Sequence, residues 1–290
     1  MNITRIAPSP TGHFHIGTAR TAYFNYLYAK ATNGKFILRI DDTDNSRNNS
    51  EYTDTIFKSL EWLELEYDEV HYQSKRLDLY KEVVSKLLKK KLAMRYPDNS
   101  IRLNLPYQNA MSFVDDLRGI IPISQDDFNH HKNILLMRSD GTPVYNFATV
   151  VDDIDMNITH IIRGSDHLSN VHKQEAIKVC INPKAKFNYA HLGLIMLNGK
   201  KISKRNPEHV EIASLQTYID KDFIPAAFKN FILRIGWSPK VDDKTKSIIL
   251  QEEAIKLFVE YGNMKPHNAN MDLNHLNSYQ KKYGKIYVKI

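Results

Sequence analysis

The sequence predicts an α/β protein built on a parallel sheet, and three observations carry the prediction. Strand-like apolar runs alternate with helix-length stretches through the first third of the chain, the pattern of parallel strands joined by helical crossovers. The same rhythm returns after an interruption near the middle. The 290 residues are 42% hydrophobic and 25% charged, with 11 Gly and 11 Pro, which supports a large core and shows neither collagenous nor disordered bias.

The elements follow in order. Ile3 and Ile6 lead into the turn Pro8-Ser9-Pro10-Thr11-Gly12, and helical spacing runs from Ala19 to Ala29. Lys35 to Ile40 reads as a second strand, bounded by Asn33-Gly34 and by the acidic cluster Asp41-Asp42-Thr43-Asp44. Helices fit Ser50 to Leu63, with Ser50 as N-cap, and Leu77 to Leu92, where Leu79, Val83, Leu87 and Leu88 share a face. From Tyr96 to His131 the texture changes to Pro97, Pro106, Pro122 and short apolar pairs, which reads as a small inserted subdomain. Strands at Asn133 to Met137 and Ile158 to Ile162, and helices at Tyr145 to Val151 and Asn170 to Val179, restore the rhythm. Leu192 to Leu197 precedes a Lys-rich turn; helical segments then cover Ile212 to Ile219, Pro225 to Ile235 and Leu250 to Tyr261. The tail from Gly262 is polar, Asn-rich and hydrophobically sparse.

Several function classes are excluded. A single cysteine, Cys180, cannot build a disulfide framework or a Cys-pair zinc site and is expected to be a small buried apolar residue. No run of about 18 apolar residues exists, and the N-terminus lacks a charged-then-apolar signal pattern, so a cytoplasmic protein without membrane partners is expected. The balance of 40 Lys+Arg against 33 Asp+Glu gives +7, which suits a polyanion such as RNA and is equally compatible with an ordinary surface.

Two constellations carry chemistry. Pro8 to Thr18 forms a Gly-containing turn between a strand and a helix. A helix N-terminus there offers unpaired N–H groups and a positive dipole end to phosphate, Gly12 and Gly17 admit a ligand to the backbone, and His15 can donate a ring N–H to a phosphate oxygen. The turn Asn198 to Arg205 sets Lys200, Lys201, Lys204 and Arg205 around Ile202 and Ser203, a cationic loop suited to a triphosphate. Each alone is also what an empty turn or a solvated face looks like.

Together, Pro-Ser-Pro-Thr-Gly-x-x-His-Ile-Gly and Lys-Ile-Ser-Lys-Arg resemble the paired signatures of class I aminoacyl-tRNA synthetases. Further words narrow the resemblance to the glutamyl-tRNA synthetase family: Thr4 to Pro10, Leu38 to Asp44, Gln73-Ser74-x-Arg76, Val150 to Asp153, Ile158 to Asn170, and Asn230-x-x-x-Arg234-x-Gly236-Trp237-Ser238, in the family's order over residues 3 to 240. The resemblance implies a Rossmann-like nucleotide-binding domain that makes glutamyl-adenylate from glutamate and ATP and transfers the acyl group to the 3′ end of tRNA. Position by position it implies catalysis by His15, Lys201 and Lys204; ATP binding by Pro10, Thr11, Gly12, His15, Gly17, Asp166, Ser203 and Lys204; and glutamate binding by Arg5, Ser9, Asp41, Tyr145 and Arg163. Magnesium would accompany ATP, no zinc or protein metal site is expected, and a monomer is expected.

The same resemblance implies a division into 1–96 and 132–205 as the two halves of the catalytic domain, 97–131 as a shortened acceptor-binding insertion, and 206–290 as a helical region like the start of the tRNA-stem contact. Departures are informative. Asp41 stands where the family usually has Glu, and Ser165 replaces a carboxylate in the Arg-Gly-Glu-Asp-His word. Only Pro97 to Ser100 separate Tyr96 from Ile101, where relatives carry a longer segment, in some with a zinc site. The anticodon-binding domain is expected to be missing, since the chain stops at Ile290. His167 and His172, and the pair His130-His131, lack metal-ligand spacing. Three readings result: a minimal synthetase charging tRNA; the same activation with another acceptor, such as the modified tRNA base used by the glutamyl-queuosine branch; and a non-catalytic paralogue that binds RNA or nucleotide.

Overall fold

The computed structural model describes residues 1–44, 48–104, 112–122, 133–202, 209–238, 247–258 and 264–287. In chain order the elements are β1 (Ile3–Ile6), α1 (Ile16–Ala31), β2 (Lys35–Ile40), α2 (Ser50–Trp62), β3 (Glu69–Tyr72), α3 (Leu77–Lys89), β4 (Ala93–Arg95), β5 (Ile101–Leu103), β6 (Ser112–Asp115), β7 (Gly119–Pro122), β8 (Leu135–Met137), α4 (Tyr145–Asp155), β9 (His160–Gly164), α5 (Val171–Ile181), β10 (Asn188–Leu192), β11 (Ile195–Leu197) and β12 (Lys200–Lys201). The short helices α6 (Val210–Ala213) and α7 (Leu215–Asp220), then α8 (Pro225–Arg234), α9 (Gln251–Leu257), β13 (Ala269–Asn270) and α10 (Leu273–Tyr287) complete the chain.

The predicted parallel sheet forms in two halves. β1 pairs parallel with β2, and β2 with β3. β9 pairs parallel with β10, β10 with β6, and β6 antiparallel with β7. The halves meet where Thr159 N–H donates to Ile3 O (3.0 Å) and Ile3 N–H donates to Thr159 Oγ1 (2.8 Å). Strand order therefore runs β3-β2-β1-β9-β10-β6-β7, with the reversal between β1 and β9. The C-terminal ends of those two strands open the crevice in which such sheets take ligands.

Local sequence explains the elements that shape this crevice. Phe36 to Ile40 are all buried, as suits a strand covered on both faces. α1 is buried on nearly every side because the sheet covers one face while α8 and α9 cover the other, so it shows no amphipathic stripe and buries Arg20, Thr21 and Asn25 along with its apolar residues. α2 is capped by Asn49, whose Oδ1 accepts from Glu51 N–H (3.0 Å), and not by Ser50, which is the first helical residue. α3 ends at Lys89 instead of Leu92, because Lys91 turns to a φ of +58° and Leu92 N–H closes the turn on Leu87 O (3.0 Å).

The helix expected over Ile212 to Ile219 is broken at Ser214. That residue bridges His15, and Leu215 N–H donates to Phe14 O (2.9 Å), so docking on the N-terminal turn overrides helical continuity. The described parts of 97–131 divide between two sheets: β5 pairs with β4 and β8, whereas β6 adds to β10. His130 and His131 lie outside the described residues. Cys180 is buried in the apolar cluster between α3, α4 and α5. The tail contains α10, with Leu276 and Tyr283 buried and Gln280 Oε1 accepting from Ile224 N–H (2.9 Å). Among the described residues no helix is long and apolar enough to cross a membrane.

Candidate active site

A cavity of about 670 Å³ lies at the strand-order reversal. The turn from β1 to α1, the turn from β9 to α5, the start of α4 and the β11–β12 hairpin form its walls. Of the residues expected from sequence, the fold brings Arg5, Ser9, Thr11, His15, Gly17, Tyr145, Arg163, Asp166 and Lys201 together on this lining. Pro10, Gly12 and Asp41 are not on the lining, and Ser203, Lys204 and Arg205 lie outside the described residues.

His15 is the N-cap of α1, its Nδ1 accepting from Gly17 N–H at 2.9 Å. An acceptor at Nδ1 places the neutral ring's proton on Nε2. No acidic residue sits in the first turn of α1, so the positive end of a largely buried helix is left for a ligand to neutralise.

Behind Arg5 lies a buried network of charge. Arg5 Nε and Nη2 donate to Asp153 Oδ1 and Oδ2 (3.1 and 3.2 Å), and Arg39 Nη1 donates to the same Oδ1 (2.7 Å). Both oxygens of Asp41 accept from Arg39, at 2.6 and 3.2 Å, so Asp41 meets the cavity through that arginine. Asp152 accepts from Gln73, Arg76 and Tyr80. Burial pushes the Asp41 carboxyl up to about 6, with Arg39 opposing. Burial acts in the same direction on Asp153, but Arg5 and Arg39 together reverse it and hold that carboxyl below its ordinary value.

Arg163, on β9, is held by His191, whose Nε2 accepts from Nε (3.0 Å), and by Gln174 Oε1, which accepts from Nη2 (2.8 Å). Its Nη1 is buried without a hydrogen-bond partner among the described residues, and burial lowers its pKa. At the mouth, Lys201 Nζ lies 3.2 Å from Asp166 Oδ2. Tyr145 OH is 3.1 Å from His167 Nδ1, and burial, aided by Arg163, pushes the His167 imidazole down to about 4.

Arg39, Arg20 and His167 also line the cavity and are not among the residues expected there from sequence. Arg20 ties Gly193 O and Ile235 O to α1, and burial lowers its pKa to about 10. Arg39 sits inside the word Leu38 to Asp44, which was the available signal; Arg20 has no comparable signature. Arg5 and Arg39 are balanced by buried carboxylates. Arg163, Arg20 and the α1 N-terminus are not, which leaves a wall that favours carboxylate and phosphate groups. Among the described residues no cluster of three or more His, Cys, Asp or Glu could hold a metal ion.

Comparison with known proteins agrees with this geometry. The sequence profile of the tRNA synthetases class I (E and Q), catalytic domain, matches residues 2–99 and 94–277. Glutamate-tRNA ligase 2 of Neorickettsia sennetsu is 43% identical over 258 residues, covering 88% of this chain and 60% of the relative. The glutamate-tRNA ligase of Aquifex aeolicus is 38% identical over 298 residues, covering 88% of this chain and 61% of the relative. A crystal structure of a glutamate tRNA ligase from Elizabethkingia meningosepticum, in complex with its amino acid, matches with a TM-score of 0.85 at 26% identity, covering 98% of this chain and 70% of that one. The chain thus spans about 60% of the length of the first two relatives. A switch-point cavity lined by residues of the first motif and by Lys201 and Ile202 of the second, and a family profile that covers most of the chain, lead to one assignment: the chain belongs to the class I tRNA synthetase (E and Q) catalytic-domain family.

Proposed function

We propose that the protein activates glutamate with ATP to glutamyl-adenylate and transfers the acyl group to the 3′-terminal ribose of tRNA. The observation that carries this reading is the pairing, in one cavity, of Lys201 and a helix N-terminus that has no acidic residue in its first turn with a buried arginine, Arg163, whose Nη1 has no partner among the described residues. The first set suits a triphosphate and the second a carboxylate.

ATP enters as its magnesium complex, which is substrate. An oxygen of the glutamate α-carboxylate forms a bond to the α-phosphorus as the bond to the bridging oxygen of pyrophosphate breaks, and pyrophosphate leaves with that electron pair. The α1 N-terminus, His15 Nε2–H and Lys201 stabilise the charge gathering on the phosphates, and Lys204 is assigned the same role from the motif. Arg163, steadied by His191 and Gln174, meets the substrate side-chain carboxylate together with Arg5. The Ser9 and Tyr145 hydroxyls are assigned to the amino and carboxylate groups, with Asp41 acting through Arg39. In the second step the terminal ribose hydroxyl attacks the acyl carbonyl, AMP departs, and the hydroxyl proton passes to the leaving phosphate or solvent.

Glutamate-dependent exchange of labelled pyrophosphate into ATP, with and without total tRNA, tests the first step. Labelled glutamate recovered as a base-labile tRNA ester tests the second. No exchange in either condition together with no ATP binding would overturn the proposal; adenylate formation with no label in RNA would overturn its acceptor.

A further inference from the structure

We infer that Asp115 and His191 are positioning residues for Arg163, a buried carboxylate–imidazole pair that orients the guanidinium so that Nη1, the one nitrogen without a partner among the described residues, is left for a ligand in the cavity that Arg163 lines. The inference rests on the reading of Arg163 as the contact to the substrate side-chain carboxylate.

Both side chains are fully buried, at 0% exposure. Asp115 ends β6, and every lone pair of its carboxylate is used. Oδ1 accepts from Leu117 N–H and Arg118 N–H (both 3.0 Å), and Oδ2 accepts from His191 N–H (3.1 Å) and Nδ1–H (2.6 Å). An imidazole that donates from Nδ1 has its lone pair on Nε2, and that lone pair takes Arg163 Nε–H at 3.0 Å. With Nη2 on Gln174, two of the three guanidinium nitrogens are fixed and Nη1 alone is left over. Tyr189 stacks on the His191 ring, centroids 6.0 Å apart at 20°, and lies 5.9 Å from the guanidinium carbon, which restrains both groups. Burial and Arg163 hold His191 neutral against the pull of Asp115.

The opposite tautomer would set Nε2–H against Arg163 Nε–H, so Asp115 decides whether Arg163 is held or repelled. Asp115 also lies in the segment 97–131, which the family resemblance assigns to the acceptor. By this inference that segment serves amino-acid recognition as well.

Near-isosteric substitutions test it. In Asp115→Asn one carboxylate oxygen becomes an NH₂, which must face either the two turn amides or the His191 donors. His191→Phe keeps a ring and loses the acceptor, whereas His191→Gln can restore it through Oε1. Exchange kinetics with total tRNA present should show the glutamate KM raised about 10-fold or more in Asp115→Asn and His191→Phe, the ATP KM within about twofold, and His191→Gln within about threefold of wild type. Calorimetric titration of glutamate alone should follow the same order. If Asp115→Asn does not fold, the His191 pair decides. An unchanged glutamate KM in His191→Phe, or glutamate and ATP KM rising together with no recovery in His191→Gln, overturns the inference. Wild type that binds glutamate without exchange defeats the proposed function and leaves this inference to the titration; wild type that binds no glutamate defeats both.

Discussion

Lys201 and Asp166 form an ion pair across the mouth of the cavity, Nζ to Oδ2 at 3.2 Å, with side chains 48% and 45% exposed. A pair so open to water is worth about 1 kcal/mol or less. A triphosphate that binds the α1 N-terminus can therefore take Lys201 from Asp166 at little cost. Replacing Lys201 with Ala should leave the thermal midpoint within about 2 °C while lowering the exchange kcat by about 10²- to 10³-fold. A melt paired with exchange kinetics reads both; an unchanged kcat would remove Lys201 from the phosphate machinery.

The pairing behind the cavity behaves differently. Asp153 is 2% exposed on its side chain and serves Arg5 and Arg39 at once. Asp153→Ala leaves two buried guanidinium groups facing each other without their shared anion, and a loss of about 3 to 5 kcal/mol is expected. Glu69, paired with Lys35 at 2.9 Å with side chains 39% and 40% exposed, is the internal contrast. Glu69→Gln should cost under about 1 kcal/mol. Guanidinium denaturation of the two variants gives the comparison, and equal losses would contradict the assignment of Asp153 as the anchor of Arg5.

The hairpin that carries Lys201 is held from the C-terminal side. β13 pairs parallel with β11, and a Cβ at Gly193 would sit 1.9 Å from His267 O, a backbone atom with no rotamer to yield. Gly193→Ala should therefore cost about 1 to 3 kcal/mol by overpacking. It should also speed exchange of the Ala269 and Met271 amides, which donate to Leu194 O (3.0 Å) and Met196 O (2.8 Å). Hydrogen exchange resolved by residue tests this; wild-type protection of both amides would show that the contact is not what docks the segment.

Motif words located the cavity wall, because residues next to a strand end or a helix start keep their place when the fold forms. Arg5, Ser9, His15 and Arg163 were legible for that reason. The partners that set their chemistry were not. Asp153 and Arg39 stand inside recognisable words, yet nothing in their spacing says that one helix carboxylate serves two arginines from two neighbouring strands. Asp115 and His191 lie in stretches with no signature at all, and their meeting depends on β6 pairing with β10 across the sheet. Asp41 is expected at the bound glutamate, but Arg39, two residues away and on the same side of the extended chain, takes both its oxygens. The helix of the tail is hard to read from its pattern for another reason. Leu276 and Tyr283 do recur at helical spacing, but the Asn, Gln and Lys around them thin the apolar stripe, and part of what holds α10 is a polar contact, Gln280 to the backbone of Ile224.

The same dependence on tertiary partners gives a pH prediction at His160. Its Nε2 faces Tyr28 OH (2.8 Å) and Asn188 Nδ2 (3.0 Å), and Nδ1 lies 2.8 Å from Thr159 Oγ1. The Asn188 amide can only donate, so Nε2 must accept and the ring must be neutral. Burial pushes this imidazole down to about 4. The unfolded chain, with an ordinary value of about 6.5, then binds more protons between those limits than the folded one. Stability from neutral His160 is present above about pH 6.5 and is lost as pH falls toward 4, by about 2 to 3 kcal/mol at about 1.4 kcal/mol per unit. Asp41, raised by burial, titrates in the opposite sense over part of this range, and His167 and His191 in the same sense, but all three are common to wild type and to His160→Gln. The stability difference between the two proteins isolates His160. Urea denaturation in steps from about pH 7 to about pH 4 should show that difference shrinking by about 2 to 3 kcal/mol as the medium acidifies; a difference constant with pH would mean that His160 is not held neutral by the fold.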